Sequence, residues 1–178
     1  MKNYIGIAML STLMACTNAP KKGAEVADAV DKTDSIAVVS DVQLKDARLE
    51  NIYKGYISLK NSLVASNAAA AKQTAMDLSA ALKAFEGCEN TGLIADKIAG
   101  SEDLKLQRKE FTALSSDVIA LFKHADLKKG TIYIEHCPMA NNGDGGDWLS
   151  AEKKIRNPYY GSEMMDCGAV VEEIKSKQ

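Results

Sequence analysis

The stretch "LENIYKGYISLKNSLVASNAAAAKQTAMDLSAALKAF", Leu49 to Phe85, decides the fold. Its first half places Leu49, Ile52, Tyr53, Tyr56, Ile57, Leu59, Leu63 and Val64 at three- and four-residue spacing, which marks one face of a helix. Gly55 within it costs about 1 kcal/mol relative to alanine, so a neighbouring helix is expected to cross closely there. "ASN" at 65–67 breaks the element, and Asn67 is a good N-cap for the next. In the second half Ala71, Ala75, Leu78, Leu82 and Phe85 follow 4-3-4-3 spacing, and the small residues on that face permit close packing.

Working outward, "EGCENTG" closes the second helix, and Leu93 to Ala99 reads as a short helix or turn. Ser101 is expected to cap a long third helix, with Glu102 and Asp103 favourable at its positive end. Leu104, Phe111, Leu114, Val118, Leu121 and Phe122 form its stripe. After Gly130 the period changes. "TIYIEH" is short, β-branched and aromatic, so it reads as extended. Gly, Asn, Asp, Pro and aromatic residues then dominate up to Gly161. "WLSAEKKI" is expected to hold one helical turn, and "GAVVEEIKSKQ" to end the chain as a short helix or strand. The expected fold class is all-α: a small antiparallel bundle of three to four helices, with a loop-rich C-terminal segment containing short extended pieces. This domain is assigned to residues 42–178.

The chain begins with a positive Lys2, an apolar "YIGIAMLSTLMA" and then Cys16. This is a signal-peptide layout over residues 1–15, too short to span a bilayer as a helix. "LMAC" resembles the lipobox of bacterial lipoproteins, which implies cleavage before Cys16, a lipid on its sulfur and anchorage to a membrane. Thr17, rather than Asp, favours the outer membrane facing the periplasm, within a bacterial cell envelope. Residues 16–41 carry no aromatic residue and read as a lipidated tether, about 25–30 Å between its ends on average. The formal net charge of −2 gives no pull toward nucleic acid.

The remaining soft donors gather near the C-terminus. "HCPM" supplies His136, Cys137 and Met139, and "MMDCG" supplies Met164, Met165 and Cys167. Thiolate and thioether sulfur favour Cu(I) and similar soft ions, and imidazole also suits copper and zinc. A chain folded into a U would bring both sulfur pairs to one centre. Equally, Cys137 and Cys167 could form a disulfide, closing a loop of about 30 residues for roughly 3–4 kcal/mol, with the methionines as core filler.

The run "YIEHCPMANNGDGGDWLSAEKKIRNPYYGSEMMDCG", with "YISLKNSLVASNAAAAKQTAMDLSAAL" and "QRKEFTALSSDVIALF", resembles the DUF3347 family of bacterial domains of unknown function. The resemblance runs from about residue 48 to 174, and the long run looks like the family's C-terminal signature. It implies a helical bundle. Related domains occur beside copper- and heavy-metal-efflux membrane-fusion proteins, so it also implies heavy-metal handling and an efflux component as partner. Cys137, Met139, Met164 or Met165, and Cys167 fall on the family's Cys/Met positions; His136 adjoins them.

Trp148, Tyr159 and Tyr160 read mainly as packing residues, or else as an interaction surface stapled by a Cys137–Cys167 disulfide. Arg108 reads as a helix-surface or inter-element ion pair. "NNGDGGD" lacks the EF-hand spacing for calcium. No nucleophile elbow, phosphate loop or HExxH occurs, and His136 beside Cys137 is a poor catalytic pair in an extended segment, so no enzyme is expected. The sequence thus leads to an extracytoplasmic lipoprotein that binds a soft ion, best Cu(I), for buffering or handover to efflux. The competing reading is a non-enzymatic envelope adaptor.

Overall fold

The computed structural model describes residues 41–176. The expected signal peptide, the lipidation of Cys16 and all but the last residue of the tether lie outside them. Four helices come first in the described chain: α1 (Ala47–Val64), α2 (Ala68–Lys83), α3 (Glu89–Ala99) and α4 (Leu104–Lys123). Asp46 caps α1 by accepting from Arg48 N–H at 2.8 Å. The stripe read from the sequence is the buried one: Ile52, Tyr53, Tyr56, Ile57, Leu59 and Leu63 all face the core. Asn67 caps α2 through Ala70 N–H at 3.0 Å, as its side chain predicts. A Cβ on Gly55 would fall 3.4 Å from Leu78 Cδ1, so α1 and α2 do approach closely there.

Two boundaries differ from expectation. The short helix begins at Glu89, not Leu93, and packs onto α2: Ser79 Oγ donates to Gly92 O at 3.0 Å. The cap of α4 is Asp103, which accepts from Lys105 N–H at 2.9 Å; Ser101 instead accepts from Asp103 N–H at 3.0 Å. The carboxylate, one residue from the helix, holds the orphan donor that the serine cannot reach. Consecutive helices pack in pairs, and aromatic contacts close α4 back onto α1. Tyr56 stacks on Phe111 with centroids 5.4 Å apart, Tyr53 meets Phe122 at 5.6 Å, and the Tyr56 and Ser115 hydroxyls bond at 2.6 Å.

The molecule is not all-α. β1 (Gln43–Leu44) pairs antiparallel with β2 (Leu127–Lys129). A three-stranded antiparallel sheet of order β4-β3-β5 follows, from β3 (Thr131–Cys137), β4 (Gly146–Ser150) and β5 (Ala169–Lys175). "WLS" is therefore strand, not a helical turn; the residues after Ser150 form bends and short turns. An extra residue in β5 shifts the β3–β5 register between Ile134 and Glu135 and leaves Val171 exposed.

Both faces of β3 and β4 are covered, while the edge strand β5 is largely exposed. Alternation puts Ile132, Ile134 and His136 on one face of β3, and Glu135 and Cys137 on the other. The first face lies toward α4, since His136 shares a cleft with Thr112 and Ser116, and Tyr56 Oη accepts from Leu149 N–H at 3.2 Å along the free edge of β4. The second lies under the segment 151–168, since Cys137 meets Cys167 and Lys153 Nζ lies 5.6 Å from the Tyr133 ring centre. Burial on both faces removes the in–out pattern by which a strand is read. That is why Trp148, Leu149 and Ser150, three buried residues in a row, do not announce β4.

Candidate functional site

Cys137 ends β3, and its side chain is fully buried. Its Sγ lies 2.8 Å from Sγ of Cys167, which is part-exposed, and both are free thiols. The chain is brought to this contact by Asn157, itself buried. Asn157 Nδ2 donates to Cys167 O at 2.9 Å, its backbone N–H donates to Met165 O at 2.9 Å, and its Oδ1 accepts from Tyr159 N–H at 2.8 Å. One amide thus ties "RNPYY" to "MMDCG". Gly168 follows at φ +143, and a Cβ there would strike His136 O at 2.8 Å and Trp148 Cη2 at 3.0 Å. Only glycine lets the chain lie flat against β3 next to Cys167.

The surroundings of the thiols are fixed from three sides. Arg108 of α4 donates from Nε to Pro158 O at 2.9 Å, and from Nη2 to Leu63 O at 3.1 Å and Ser66 Oγ at 2.9 Å. Its role is a clamp on main-chain oxygens rather than the ion pair expected. Tyr160 Oη donates to Met139 O, and the Met139 N–H faces the Cys167 sulfur. The Cys137 hydrogen bond, with some burial, pushes the Cys167 thiol above its ordinary value, against that N–H.

The sequence-predicted residues divide. Cys137 and Cys167 meet, and Met139 brings its backbone to them while its side chain is 53% exposed. Met164 and Met165 are part-buried and shape the turn through their carbonyls, which accept from Cys167 N–H and Asn157 N–H. His136 points to the opposite sheet face, where Nδ1 lies 2.7 Å from Asp147 Oδ1. It is thus separated from Cys137 both as a shared ligand and as a catalytic partner. Among the described residues no group of three or more His, Cys, Asp or Glu is arranged to hold a metal ion. Of the two readings of the aromatic residues, packing holds and the interaction surface does not. Trp148 and Tyr159 are buried, with ring centroids 6.0 Å apart, and only Tyr160 reaches partly to the surface. The large rings fill the gap between segment 151–168 and the sheet.

Two buried charges escape sequence reading. Glu135 on β3 is wholly buried, and neither carboxylate oxygen makes a hydrogen bond. Trp148 Nε1 and Ser150 Oγ lie beside it and favour its charged form, but burial dominates and pushes the carboxyl up to about 7. Lys60 of α1 is 2% exposed, and burial pulls its ammonium down to about 8 against the attraction of Glu135 and Glu152. In sequence both residues look like ordinary solvated side chains, and no pattern marks them.

No curated protein and no solved structure matches this chain. One family does, over residues 52–130, described as "Protein of unknown function (DUF3347)". The match takes in all but the first turn of α1, then α2, α3, α4 and β2, and it stops before β3. The Cys/Met run read as part of the family signature lies outside it. The likeness to DUF3347 thus covers Ile52 to Gly130, and the dithiol is carried by the sheet that follows.

Proposed function

We propose that this protein is a non-enzymatic lipoprotein, anchored through Cys16 to the bacterial outer membrane and facing the periplasm, that binds one soft metal ion for buffering or handover to an efflux system. Cu(I) is the ion of choice, because the ligands are two thiolates, with the thioethers of Met139, Met164 and Met165 in the adjoining chain as candidate further donors. The single observation that carries the reading is the approach of Cys137 and Cys167 to 2.8 Å across 30 residues of chain. Soft-ion binding belongs to the reduced state, and oxidation closes the site as a disulfide. His136, on the opposite sheet face, drops out of the ligand set.

The test is a Cu(I) titration of the reduced protein against a competing chelator, beside a variant with Cys137 and Cys167 both changed to Ser. Tight stoichiometric binding lost in the variant is expected. No binding by folded wild type would end the metal reading. A second reading is then favoured by the full burial of Cys137 and the exposure of Met139: the pair is a structural staple for segment 151–168.

A further inference from the structure

On the helix-facing side of the sheet, His136 opens onto a cleft of about 220 Å³ between α4 and the β3–β4 turn, lined also by Thr112, Ser116, Asp144 and Asp147. We propose that this cleft is a separate site for a borderline divalent cation, with His136 Nε2 and the Asp144 carboxylate as protein ligands. The inference does not rest on the dithiol: strand alternation directs the cysteines to the other face.

The ring is already held as a ligand would be. Asp147 Oδ1 occupies Nδ1 at 2.7 Å, which fixes the tautomer and leaves Nε2 with its lone pair. Asp147 is therefore a positioning residue. The turn is built to leave that nitrogen open. Gly145 sits at φ +83, and a Cβ on it would fall 2.7 Å from His136 Cε1 and 3.3 Å from Nε2. Any other side chain would cover the ring edge. The turn is in turn anchored: Asn141 Nδ2 donates to Gly145 O at 2.8 Å, and Thr112 Oγ1 donates to Asn141 Oδ1 at 3.0 Å.

The lining carries two carboxylates, two hydroxyls and an imidazole, with no lysine, arginine or sulfur. That set attracts a cation, and its nitrogen and oxygen donors suit Zn²⁺, Co²⁺ or Ni²⁺ rather than Cu(I). The protein supplies fewer than three ionisable ligands, so water and the Thr112 or Ser116 hydroxyl complete the shell. Such an open site binds more weakly than a closed four-ligand one.

Co²⁺ titration of the whole protein tests this, read by visible absorption and by the imidazole NMR signals. The chain has only two histidines, and His124 on the end of α4 serves as internal control. The expected result is saturable binding that perturbs His136 but not His124, with no thiolate-to-cobalt charge-transfer band. His136→Gln is expected to abolish it, and Asp147→Asn to weaken it about tenfold while leaving the fold intact. Absence of saturable binding, equal response of both histidines, a thiolate band with His136 unmoved, or unchanged affinity in folded His136→Gln would each overturn the site.

Discussion

Cys137 and Cys167 touch through their sulfurs, while the third described cysteine, Cys88, is buried elsewhere in the core. Oxidation of the whole protein is therefore expected to give one intramolecular Cys137–Cys167 bond and to leave Cys88 a free thiol. Peptide mapping under non-reducing conditions checks the pairing. Closing a loop of this size contributes about 3–4 kcal/mol by the chain-entropy account, visible as a higher denaturant midpoint of the oxidised form. A mixed pairing with Cys88, or equal midpoints, would contradict this contact as a staple.

Asn157 satisfies both halves of its amide inside the fold, on Cys167 O and Tyr159 N–H. Asn157→Ala leaves both groups buried without partners, at about 1–3 kcal/mol each if no water enters. Asn157→Asp keeps the acceptor but turns the donor into a repelling oxygen beside Cys167 O. Both variants are expected to lower stability and to expose Cys167 to alkylation faster than wild type. Unchanged alkylation in a destabilised variant would show that the amide supports the fold without positioning the thiol.

The helical half of the fold is legible in the amino-acid sequence because its signals are local. The stripes of α1, α2 and α4 repeat at helical spacing because each helix turns its apolar residues to the core and leaves a polar side exposed, although the second half of α1 is buried more widely. Asn67 announces its cap because the hydrogen bond it makes is three residues away. The extended reading of "TIYIEH" also has a consequence for the site: neighbours in a strand face apart, so His136 and Cys137 part company. What the sequence hides depends on distant chain. β4 has no alternation because segment 151–168 covers its outer face, and Lys60 is buried only because that segment and the sheet close over α1. The cysteine contact is one of two readings the sequence leaves open, since spacing alone does not say whether two distant thiols meet.

Arg108 donates to three oxygens from two separated segments, and none of these acceptors is a carboxylate. Burial holds its guanidinium below the ordinary value, with Glu163 pulling the other way. Arg108→Lys removes the planar fork that reaches Pro158 O and Leu63 O together, so it is not conservative here. A loss of about 2–3 kcal/mol is expected for Arg108→Lys or Arg108→Met alike. Hydrogen exchange checks the mechanism. Amides of residues 157–161 and of the α1–α2 turn are expected to lose protection together, while α3 keeps its own.

Glu135 and Lys60 give the stability a pH dependence whose sign follows from the direction of each shift. The Glu135 carboxyl rises from 4.5 to about 7 on folding, so the fold holds its proton more tightly than the unfolded chain does. Its contribution is fully present below about 4.5 and is lost as pH climbs toward 7. The Lys60 ammonium falls from 10.5 to about 8, so the fold disfavours its proton, and stability returns as pH rises from 8 toward 10.5. The two terms place a trough near neutral to mildly alkaline pH, where both groups are charged and buried. Urea midpoints from pH 5 to 10 measure it, relative to the double variant Glu135→Gln with Lys60→Met. That variant keeps His124, His136 and the surface carboxylates, so the difference between the two curves isolates the pair. It is expected to be flatter, and to match or exceed wild type by about 1–3 kcal/mol near pH 7.5. Glu135→Gln alone is expected to be worse than the double variant, because it strands a buried ammonium without its counter-charge. A wild-type curve parallel to that of the double variant across this range would mean that water or structural relaxation screens the pair, and that the burial of Glu135 carries no proton linkage.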